Sequence, residues 1–353
     1  MKKKPGSRRW WTRLLAIIYG ICAVLCIPGY LAPWLRVEWI PVIQLLPVGL
    51  AWLIPIHAIA AIWFLVRGHK RTALFALTGL LLSIWVGSKD WKSSSDAPQE
   101  QADIRVASFN VQSFATNADK LTKIGKLIAS QNVDVACFQE FKDFEMEGES
   151  STAVETMAGL LNMPHYHFLH RPGYTQGVAV FSSFPIIKLD TLYLFEGEVN
   201  HGVLATLRHP KGHIGIGSMH FTSFRLFYQR SEKNQLKYLL PRLGRNATEG
   251  IATHQARIDL VLAKALEYPY PHILAGDLNT APHTSIARQL RRHYTDSFLA
   301  GGQGLGWTYP LLGPLGVRID HQYASKRWQV ISHEVLKSGL SDHDATIASY
   351  VLE

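Results

Sequence analysis

Three long stretches near the N-terminus contain no charged residue. They comprise residues 14–35, 39–66 and 72–88. A helix needs about 20 mainly apolar residues to cross a bilayer, with a range of roughly 17–25. The pattern therefore predicts an N-terminal membrane anchor, residues 1–90, with three transmembrane helices near residues 14–35, 42–66 and 72–88.

The first two stretches have features of their own. The second contains Pro41, Pro47 and Pro55, which predict kinks that membrane helices tolerate. The first follows a basic N-terminus, as the apolar part of a secretory signal peptide does. It is longer than a signal peptide requires, however, and two more apolar stretches follow it. These features favour a membrane span over a cleaved signal.

Lysines and arginines predict the orientation of the spans. If all three form, the basic residues 2–13 and the loop 67–71 lie on the same side of the membrane, whereas the loop containing Arg36 and Glu38 is nearly neutral. The positive-inside rule places the basic side, and with it the N-terminus, in the cytoplasm. An odd number of spans then makes the chain after residue 90 extracytoplasmic, either periplasmic or extracellular.

The rest of the chain reads as a polar linker followed by an α/β domain. Residues 91–103 are small and polar, which is typical of a flexible tether. From residue 104 to residue 353, short apolar runs alternate with amphipathic stretches, which predicts strands and helices of one domain. The predicted strands are Ile104–Asn110, Val133–Gln139, Gly177–Phe181, Gly202–Arg208 and His213–His220. The predicted helices are Lys120–Ser130, Ser231–Leu243 and Thr253–Leu266.

Polar side chains follow several apolar runs where the predicted strands end. The run His272–Gly276 leads into Asp277 and Asn279, which share one face of an extended chain because they are two positions apart. Alone, this pair is equally well explained by a turn that ends a strand. Other runs end in the same way, and their polar residues are Asn110, Glu140, His220, Asp320, Asp342 and His343. Ligands of open α/β sheets bind at such strand ends.

These residue types suit hydrolysis of a phosphate ester with the help of Mg²⁺ or Mn²⁺. Mg²⁺ prefers oxygen ligands and commonly takes only one or two protein carboxylates, so Glu140, helped by the amide oxygen of Asn110, is the best candidate ligand. Asp277 or a histidine is suited to deprotonate the attacking water. Asn279 is suited to donate a hydrogen bond to the attacked phosphate.

In their order along the chain, these residues resemble the motifs of the endonuclease/exonuclease/phosphatase superfamily, the DNase I-like metal-dependent phosphohydrolases. The resemblance covers about residues 104–351. The matching pieces are Ser108-Phe109-Asn110, Gln139-Glu140, residues 177–182, residues 219–223, Gly276-Asp277-Leu278-Asn279, residues 318–321 and Ser341-Asp342-His343. The resemblance implies two packed mixed β-sheets flanked by helices, a four-layer DNase I-like sandwich.

The resemblance also implies a role for each site residue. It implies metal binding by Glu140, with Asn110 and Asp342 close by, activation of the nucleophile and phosphate binding by Asp277 and Asn279, a phosphate contact from His220, and orientation of His343 by Asp320. Whether Asp277 or His343 is the base stays open.

Two positions depart from the pattern of the superfamily. His321 stands where an aromatic residue is common. Some related nucleases have a further glutamate that pairs with the first histidine. Here that partner of His220 cannot be placed, and Glu145, Glu147 and Glu149 are the candidates.

Two further residues are weaker candidates for substrate binding. Arg225 belongs to a basic and aromatic segment that follows the strand ending at His220. The segment suits the phosphates and bases of nucleic acid, anionic lipid headgroups, or an ordinary solvated helix. Trp307 precedes Asp320 by 13 positions and forms either a rim of the pocket or part of the core.

The distribution of charge bears on the substrate. Residues 1–100 hold 12 Lys and Arg against 4 Asp and Glu. Residues 101–353, which contain the predicted catalytic domain, hold 24 against 23, a net charge of only +1. A near-neutral domain counts against nucleic acid, whose binding depends on many Lys and Arg contacts.

The sequence thus indicates a membrane-anchored phosphohydrolase that acts on either nucleic acid or a phospholipid or sphingolipid headgroup. The alternative is a catalytically inactive, membrane-tethered binding or scaffold protein on the same fold. The three spans would anchor either protein, but a scaffold does not explain why the whole polar set is present.

The orientation can be tested with a reporter fused after Glu353. Because three spans place the C-terminus outside the cytoplasm, a reporter that is active only after export should be active. Activity of a cytoplasm-dependent reporter at the same position would contradict the count of three spans.

Overall fold

A computed structural model of the protein describes residues 5–35, 41–93, 101–112, 117–146, 151–194, 200–223, 235–312 and 315–353. Its α-helices are α1 (Pro5–Leu31), α2 (Pro47–Leu50), α3 (Ile54–Val66), α4 (Lys70–Gly87), α5 (Ala118–Ala129), α6 (Ala153–Leu161), α7 (Gln235–Glu267), α8 (Ser285–His293) and α9 (Ser297–Gly301). Short 3₁₀ segments are Ala32–Trp34, Pro41–Leu45 and Ala51–Leu53.

The strands are β1 (Trp91–Lys92), β2 (Ile104–Asn110), β3 (Val135–Lys142), β4 (His165–His170), β5 (Gln176–Ser182), β6 (Ile186–Leu194), β7 (His201–His209), β8 (Gly212–His220), β9 (His272–Asp277), β10 (Thr295–Asp296), β11 (Gly304–Leu305), β12 (Tyr309–Leu312), β13 (Leu315–Val317), β14 (Asp320–Ala324), β15 (Trp328–Leu336) and β16 (Ala345–Leu352).

The N-terminal helices confirm the three predicted apolar segments. Trp10–Trp34, Ile43–Val66 and Lys70–Gly87 are each long and apolar enough to cross a membrane. The second segment is not one regular helix, because it alternates between 3₁₀ and α geometry before α3 begins. Pro47 and Pro55 lie in the first turns of α2 and α3, where a missing N–H disrupts no intrahelical hydrogen bond.

Two six-stranded mixed sheets form the body of the α/β domain. Sheet I has the strand order β15-β16-β2-β3-β5-β4, and sheet II has the order β10-β14-β9-β8-β7-β6. One pair in each sheet is parallel, β2 with β3 and β8 with β9. The carboxyl ends of these four strands therefore deliver Asn110, Glu140, His220 and Asp277 from the two sheet centres.

The sheets pack face to face and helices cover their outer faces, which confirms the predicted four-layer architecture. Val106 and Val180 of sheet I pack with Ile216 and Ile273 of sheet II in one buried cluster. A second cluster joins sheet I to α5 and α6, and a third joins sheet II to α7 and α8. Burial of these alternating apolar residues is the main stabilising term.

Most predicted elements lie within two residues of the observed ones, but two predictions were wrong in part. The predicted strand Val133–Gln139 starts at Val135 and continues through Lys142. The predicted helices Ser231–Leu243 and Thr253–Leu266 belong to one helix, α7, within the part of this segment that the structure describes. The two glycines between the predicted helices do not interrupt α7, because each costs a helix only about 1 kcal/mol, and packing of Ile258 and Val261 on sheet II stabilises the helix.

The chain directly after α4 pairs with the α/β domain. Residues Trp91 and Lys92, at the beginning of the predicted linker, pair with Leu305 and Gly304. Arg318 Nη2 donates to the carbonyl of Lys89 at 3.0 Å. The same guanidinium makes a bidentate, fully buried ion pair with Asp296, at 2.9 and 3.0 Å. Burial alone would raise the pKa of Asp296, but Arg318 lowers it to about 2.

Gly276 is the glycine on which the sheet II strand end depends. Its φ is +149°, and a Cβ placed there would lie 1.9 Å from the carbonyl oxygen of Met219. The parallel partner β8 therefore approaches too closely for any side chain.

We expect Gly276→Ala to destabilise the full-length protein by at least about 2 kcal/mol, or about 4–8 °C in the midpoint of thermal unfolding in detergent. Gly159→Ala is the control, because that exposed helical glycine has no neighbour within 4 Å. The control should raise the stability by up to about 1 kcal/mol. Equal midpoints for the two variants would contradict the close approach at Gly276.

Candidate active site

The site is built around Asp277, which ends β9. In sheet II, Asp277 is directly opposite His220 of β8 on one side and Asp320 of β14 on the other. Three functional side chains therefore come from one row of the sheet. Asp277 is buried, with 1% of its surface exposed.

Four residues surround the carboxylate of Asp277 with donor groups. Asn110 Nδ2, from sheet I, donates to Oδ2 at 3.0 Å. Asn279 donates to it twice, from its backbone N–H to Oδ1 at 2.8 Å and from its side chain to Oδ2 at 3.1 Å. His220 Nε2 and His343 Nε2 lie 3.7 and 3.8 Å from Oδ2. The Asp277 carboxylate thus joins the two sheets, and one of its oxygens faces both histidines.

Asp320 holds His343 in place. His343 Nδ1 donates to Asp320 Oδ2 at 2.9 Å, which leaves Nε2 pointing toward Asp277. Asp320 itself is fixed because its backbone N–H donates to the hydroxyl of Thr308. Burial alone would lower the pKa of His343, but Asp320 and Asp277 raise it to about 10. The two carboxylates therefore favour the protonated form of His343.

The pKa of Asp277 also departs from its usual range. Burial is the largest cause and raises it, and the charge of Asp320 acts in the same direction. His343 and the hydrogen bonds from Asn279 and Asn110 oppose this shift. A carboxylate with a raised pKa is a better proton acceptor near neutral pH than an ordinary aspartate.

Glu140 reaches the site because β3 bulges. Phe138 pairs with Ala179 and Phe141 with Gly177, so two residues of β3 face one residue of β5. Glu140 at this bulge has a φ of +51°, a costly conformation that persists only where the surroundings hold it. Bulges re-aim side chains next to active sites. The predicted strand stopped at Gln139 because sequence periodicity carries no signal for an extra residue.

Glu140 is close to Asn110 and His220. Asn110 Nδ2 donates to Glu140 Oε1 at 3.2 Å, and Gln176 Nε2 donates to Oε2 at 3.2 Å. His220 Nε2 lies 3.6 Å from Oε1. Glu140 and His220 thus lie in one cluster of side chains.

The ring of His220, whose partner the sequence could not place, lies between Asn200 and Glu140. The amide of Asn200 lies 3.0 Å from Nδ1 of His220 and also donates to the carbonyl of Phe221. Burial lowers the pKa of His220, and Glu140 partly opposes the shift. The backbone of Glu145, one of the three glutamates considered, forms an isolated antiparallel β-bridge with Thr152. Glu147 and Glu149 lie outside the described residues.

Asp342 is linked to the cluster through the loop after β2. Its Oδ2 accepts from Gln112 Nε2 at 3.1 Å, and the Gln112 backbone N–H donates to Asn110 Oδ1 at 3.1 Å. Ser341 Oγ donates to the carbonyl of Asn110 at 2.8 Å. Asp342 is therefore placed beside Asn110, within one hydrogen-bonded network.

The donor set fits a hard divalent cation. One oxygen or ring nitrogen from each of Asp277, Asp320 and His343 lies within 4.8 Å of the other two. Asp320 Oδ1 is buried, and no partner for it occurs among the described residues. Glu140 with Asn110 offers a second set of oxygens. Because buried carboxylates repel one another, a cation near them relieves an unfavourable charge.

The two weaker candidates have different outcomes. Arg225 lies outside the described residues. Trp307 is half-buried and lines an open cleft beside the site together with Val317. The next two residues contact the site directly. The hydroxyl of Thr308 accepts from the backbone N–H of Asp320, and the ring of Tyr309 lies 4.9 Å from that of His343.

His321, which departs from the family pattern, is buried and supports the loop after Asn279. Its Nε2 donates to the carbonyl of Thr280 at 2.9 Å, and its ring stacks on Tyr323. The sequence missed this contact and those of Gln112, Gln176, Asn200 and Thr308. Of these four residues, only Thr308 could have been found from the sequence, because it follows the candidate residue Trp307.

The chain matches the sequence model of one protein family. Residues 107–343 match the Endonuclease/Exonuclease/phosphatase family. A search of curated proteins gives no significant match.

Solved structures give the same fold. The endonuclease/exonuclease/phosphatase of Bacteroides vulgatus is 15% identical, with a TM-score of 0.53 over 71% of this chain and 99% of that one. That of Beutenbergia cavernae is 19% identical, with a TM-score of 0.51 over 71% and 72%. TDP2 from C. elegans is 16% identical, with a TM-score of 0.51 over 72% and 76%. At such identities the similarity establishes the fold.

The Asp320–His343 pair gives a titration that can be measured. We expect Asp320→Asn to lower the pKa of His343 toward the ordinary histidine value of about 6.5, because a neighbouring negative charge is removed. The imidazolium would then be lost at a lower pH than in the wild type. The measurement is an NMR titration of labelled histidine rings, with Asp259→Asn on the exposed face of α7 as the control. An unchanged pKa in Asp320→Asn would contradict the pairing.

Proposed function

The chain belongs to the endonuclease/exonuclease/phosphatase family, and on this basis we propose that it is a membrane-anchored, divalent-metal-dependent phosphohydrolase. The family consists of hydrolases that act on phosphoester bonds. The observation that carries the proposal is the convergence of Asn110, Asn279, His220 and His343 on the buried carboxylate of Asp277.

Asp277 is proposed as the base that takes a proton from the attacking water. Its Oδ2 faces the two histidines, and its raised pKa suits proton transfer near neutral pH. Asn279 and Asn110 hold the carboxylate in one orientation. His343 is less suited to be the base, because two carboxylates favour its protonated form.

His343 and Asn279 are proposed to bind the phosphate. A protonated Nε2 on His343 supplies a positive charge, and Asp320 keeps the ring oriented as the charge on the phosphate develops. In the reaction, the water oxygen forms a new bond to phosphorus and the ester P–O bond breaks. Asp277 receives the water proton, and a proton returns to the leaving oxygen.

Glu140 and Asn110, with Asp342 nearby, are proposed to hold Mg²⁺ or Mn²⁺, and the carboxylates of Asp277 and Asp320 border the same space. A cation bound there would polarise the phosphoryl oxygen and stabilise the leaving oxygen. Gln176 supports this role for Glu140 because it fixes the second carboxylate oxygen.

The division into an anchor (residues 1–90), a linker (residues 91–103) and a catalytic domain (residues 104–353) is part of the proposal. Contacts with the domain come from the ends of the spans at Trp34, Gln44 and Trp85. The opposite end carries the basic loop 67–71. This arrangement supports a cytoplasmic N-terminus and an extracytoplasmic catalytic domain.

The activity can be tested with the full-length protein in detergent and bis(4-nitrophenyl) phosphate as a generic diester. We expect turnover with Mg²⁺ or Mn²⁺ and its loss in EDTA. Asp277→Asn should lower kcat about a thousandfold, because it removes the base at nearly constant shape. Asp259→Asn is the matched control, since that aspartate is exposed on α7 and accepts a hydrogen bond from Gln255 of the same helix.

Glu140→Gln separates metal binding from the proton transfer. Because a charged ligand is lost, the Mg²⁺ concentration that gives half-maximal activity should rise at least about tenfold. Full activity of both Asp277→Asn and Glu140→Gln would show that the site is wrongly assigned. A wild-type protein without turnover on diesters, monoesters, nucleic acid or lipid would instead be a scaffold on this fold.

A further inference from the structure

The loop between Asn279 and α8 is in contact with the ends of the membrane-spanning helices. In this β9–α8 loop, residues 278–284, His283 Nε2 donates to the carbonyl of Tyr30 at 2.9 Å. The backbone N–H of Ser285, the first residue of α8, donates to Gln44 Oε1 at 3.0 Å. Gln44, His283 and Ser285 are buried, so water does not replace these hydrogen bonds. The two bonds join residues that are 253 and 241 positions apart in the chain.

All three candidate spans meet at the β9–α8 loop. Gln44 is the second residue of the second span, and its Nε2 donates to the carbonyl of Ala32, in the first span, at 2.9 Å. The ring of His283 packs edge-on against Trp85 of the third span at 4.6 Å. Trp85 in turn stacks on Trp34 of the first span, with 5.6 Å between ring centres. The amide of Gln44 is thus fixed on both sides, with Oε1 toward the loop.

A second attachment to the anchor lies just before Asp320. Val48 of the second span packs against the buried cluster that includes Ile319. The backbone N–H of Leu278 donates to the carbonyl of Ile319 at 3.0 Å, which joins this segment to the β9–α8 loop. The segments that follow Asp277 and precede Asp320 therefore both rest on the anchor.

Asn279 has a backbone conformation that its surroundings must hold. Its φ is +46°, in the left-handed region, which is costly for residues other than glycine. The domain secures the start of the loop, since Asn279 Nδ2 donates to the carbonyl of Phe221 and His321 Nε2 donates to that of Thr280. The anchor secures its other end. Because Asn279 also donates twice to Asp277, a displaced loop would change the orientation of that carboxylate.

We propose that the anchor is part of the scaffold of the active site, and that Gln44 positions the β9–α8 loop and, through it, Asn279 and Asp277. This inference rests on the proposed phosphohydrolase function. Gln44 is a positioning residue, because it acts through Ser285 and the loop. An anchor that only kept the domain near the membrane would need no buried hydrogen bonds to this loop.

The first variant removes the contact from the side of the anchor. Gln44→Leu has nearly the same size, but it leaves the N–H of Ser285 and the carbonyl of Ala32 without this partner. The loop then shifts, and small displacements of catalytic groups are costly to the rate. With bis(4-nitrophenyl) phosphate and Mg²⁺, the full-length protein in detergent should lose about tenfold in kcat at a nearly unchanged KM, because the loop aligns groups that act in the transition state.

The second variant removes the contact from the side of the domain. Ser285→Pro deletes the N–H donor at the first position of α8, where proline is well tolerated. Thr284 before it is already extended, with φ −126° and ψ 167°, as a residue before proline requires. The hydroxyl of Ser285 is buried and has no partner among the described residues, so its loss breaks no hydrogen bond. We expect the same fall in kcat, about tenfold, without a lower midpoint of thermal unfolding.

The double variant tests whether the two residues act together. If Gln44 acts through Ser285, Gln44→Leu combined with Ser285→Pro should lower kcat about tenfold, no further than either single variant. Independent effects would multiply to about a hundredfold. Tyr19→Phe is the control, because it removes the hydrogen bond between Tyr19 Oη and His57 Nδ1 inside the anchor. The control should keep the wild-type kcat.

Hydrogen exchange reports on the loop without turnover. Measured by mass spectrometry on the full-length protein in detergent, the amides of residues 278–285 should exchange about tenfold faster in Gln44→Leu than in the wild type, because the loop opens more often. Peptides from β2 and β3, in sheet I, should exchange at wild-type rates in the same variant. Tyr19→Phe should exchange as the wild type does throughout the loop.

The outcomes separate the inference from the proposed function. Wild-type kcat in either single variant, or a fall of about a hundredfold in the double variant, would show that Gln44 does not position the loop. Absence of turnover by the wild type on every phosphate ester would contradict the proposed function instead. In that case faster exchange of residues 278–285 in Gln44→Leu would still support a loop held by the anchor, and unchanged exchange would overturn it.

Discussion

The register that places His220, Asp277 and Asp320 in one row of sheet II is the constraint on which the site depends. It arises because β8 and β9 run parallel and β14 pairs with β9 at the same level. Gly276 permits the close approach of β8. The hydrogen bond from Asn110 to Asp277 then closes the row against sheet I at 3.0 Å. A shift of register by one residue would turn these side chains to the opposite faces of the sheet.

Much of this arrangement follows from the sequence, because strand patterns are local. Short apolar runs that end in polar residues predicted the strands, and their order carried the resemblance to the family. Asn110, Glu140, His220, Asp277, Asn279, Asp320, Asp342 and His343 all lie in one connected network or beside it. Their roles in metal binding and catalysis stay predictions, since geometry alone does not test them.

The features that the sequence did not predict depend on contacts between distant segments. The bulge that aims Glu140 inserts one residue without a change in composition. Asn200 approaches His220 from a separate strand connection, and His321 supports Thr280 across 41 positions. Arg318 binds Asp296 within the domain and the carbonyl of Lys89 at the end of the anchor. Such contacts leave no repeating pattern of apolar and polar residues in the sequence, so periodicity does not predict them.

The attack of water on phosphorus is tested most directly by hydrolysis in H₂¹⁸O. The full-length protein would turn over bis(4-nitrophenyl) phosphate with Mg²⁺, and ³¹P NMR would report the isotope shift of the product. One ¹⁸O atom bound to phosphorus per turnover is the expected result, because water activated at Asp277 forms the new P–O bond. Recovery of ¹⁸O only in the nitrophenol would contradict attack at phosphorus and the site built around Asp277.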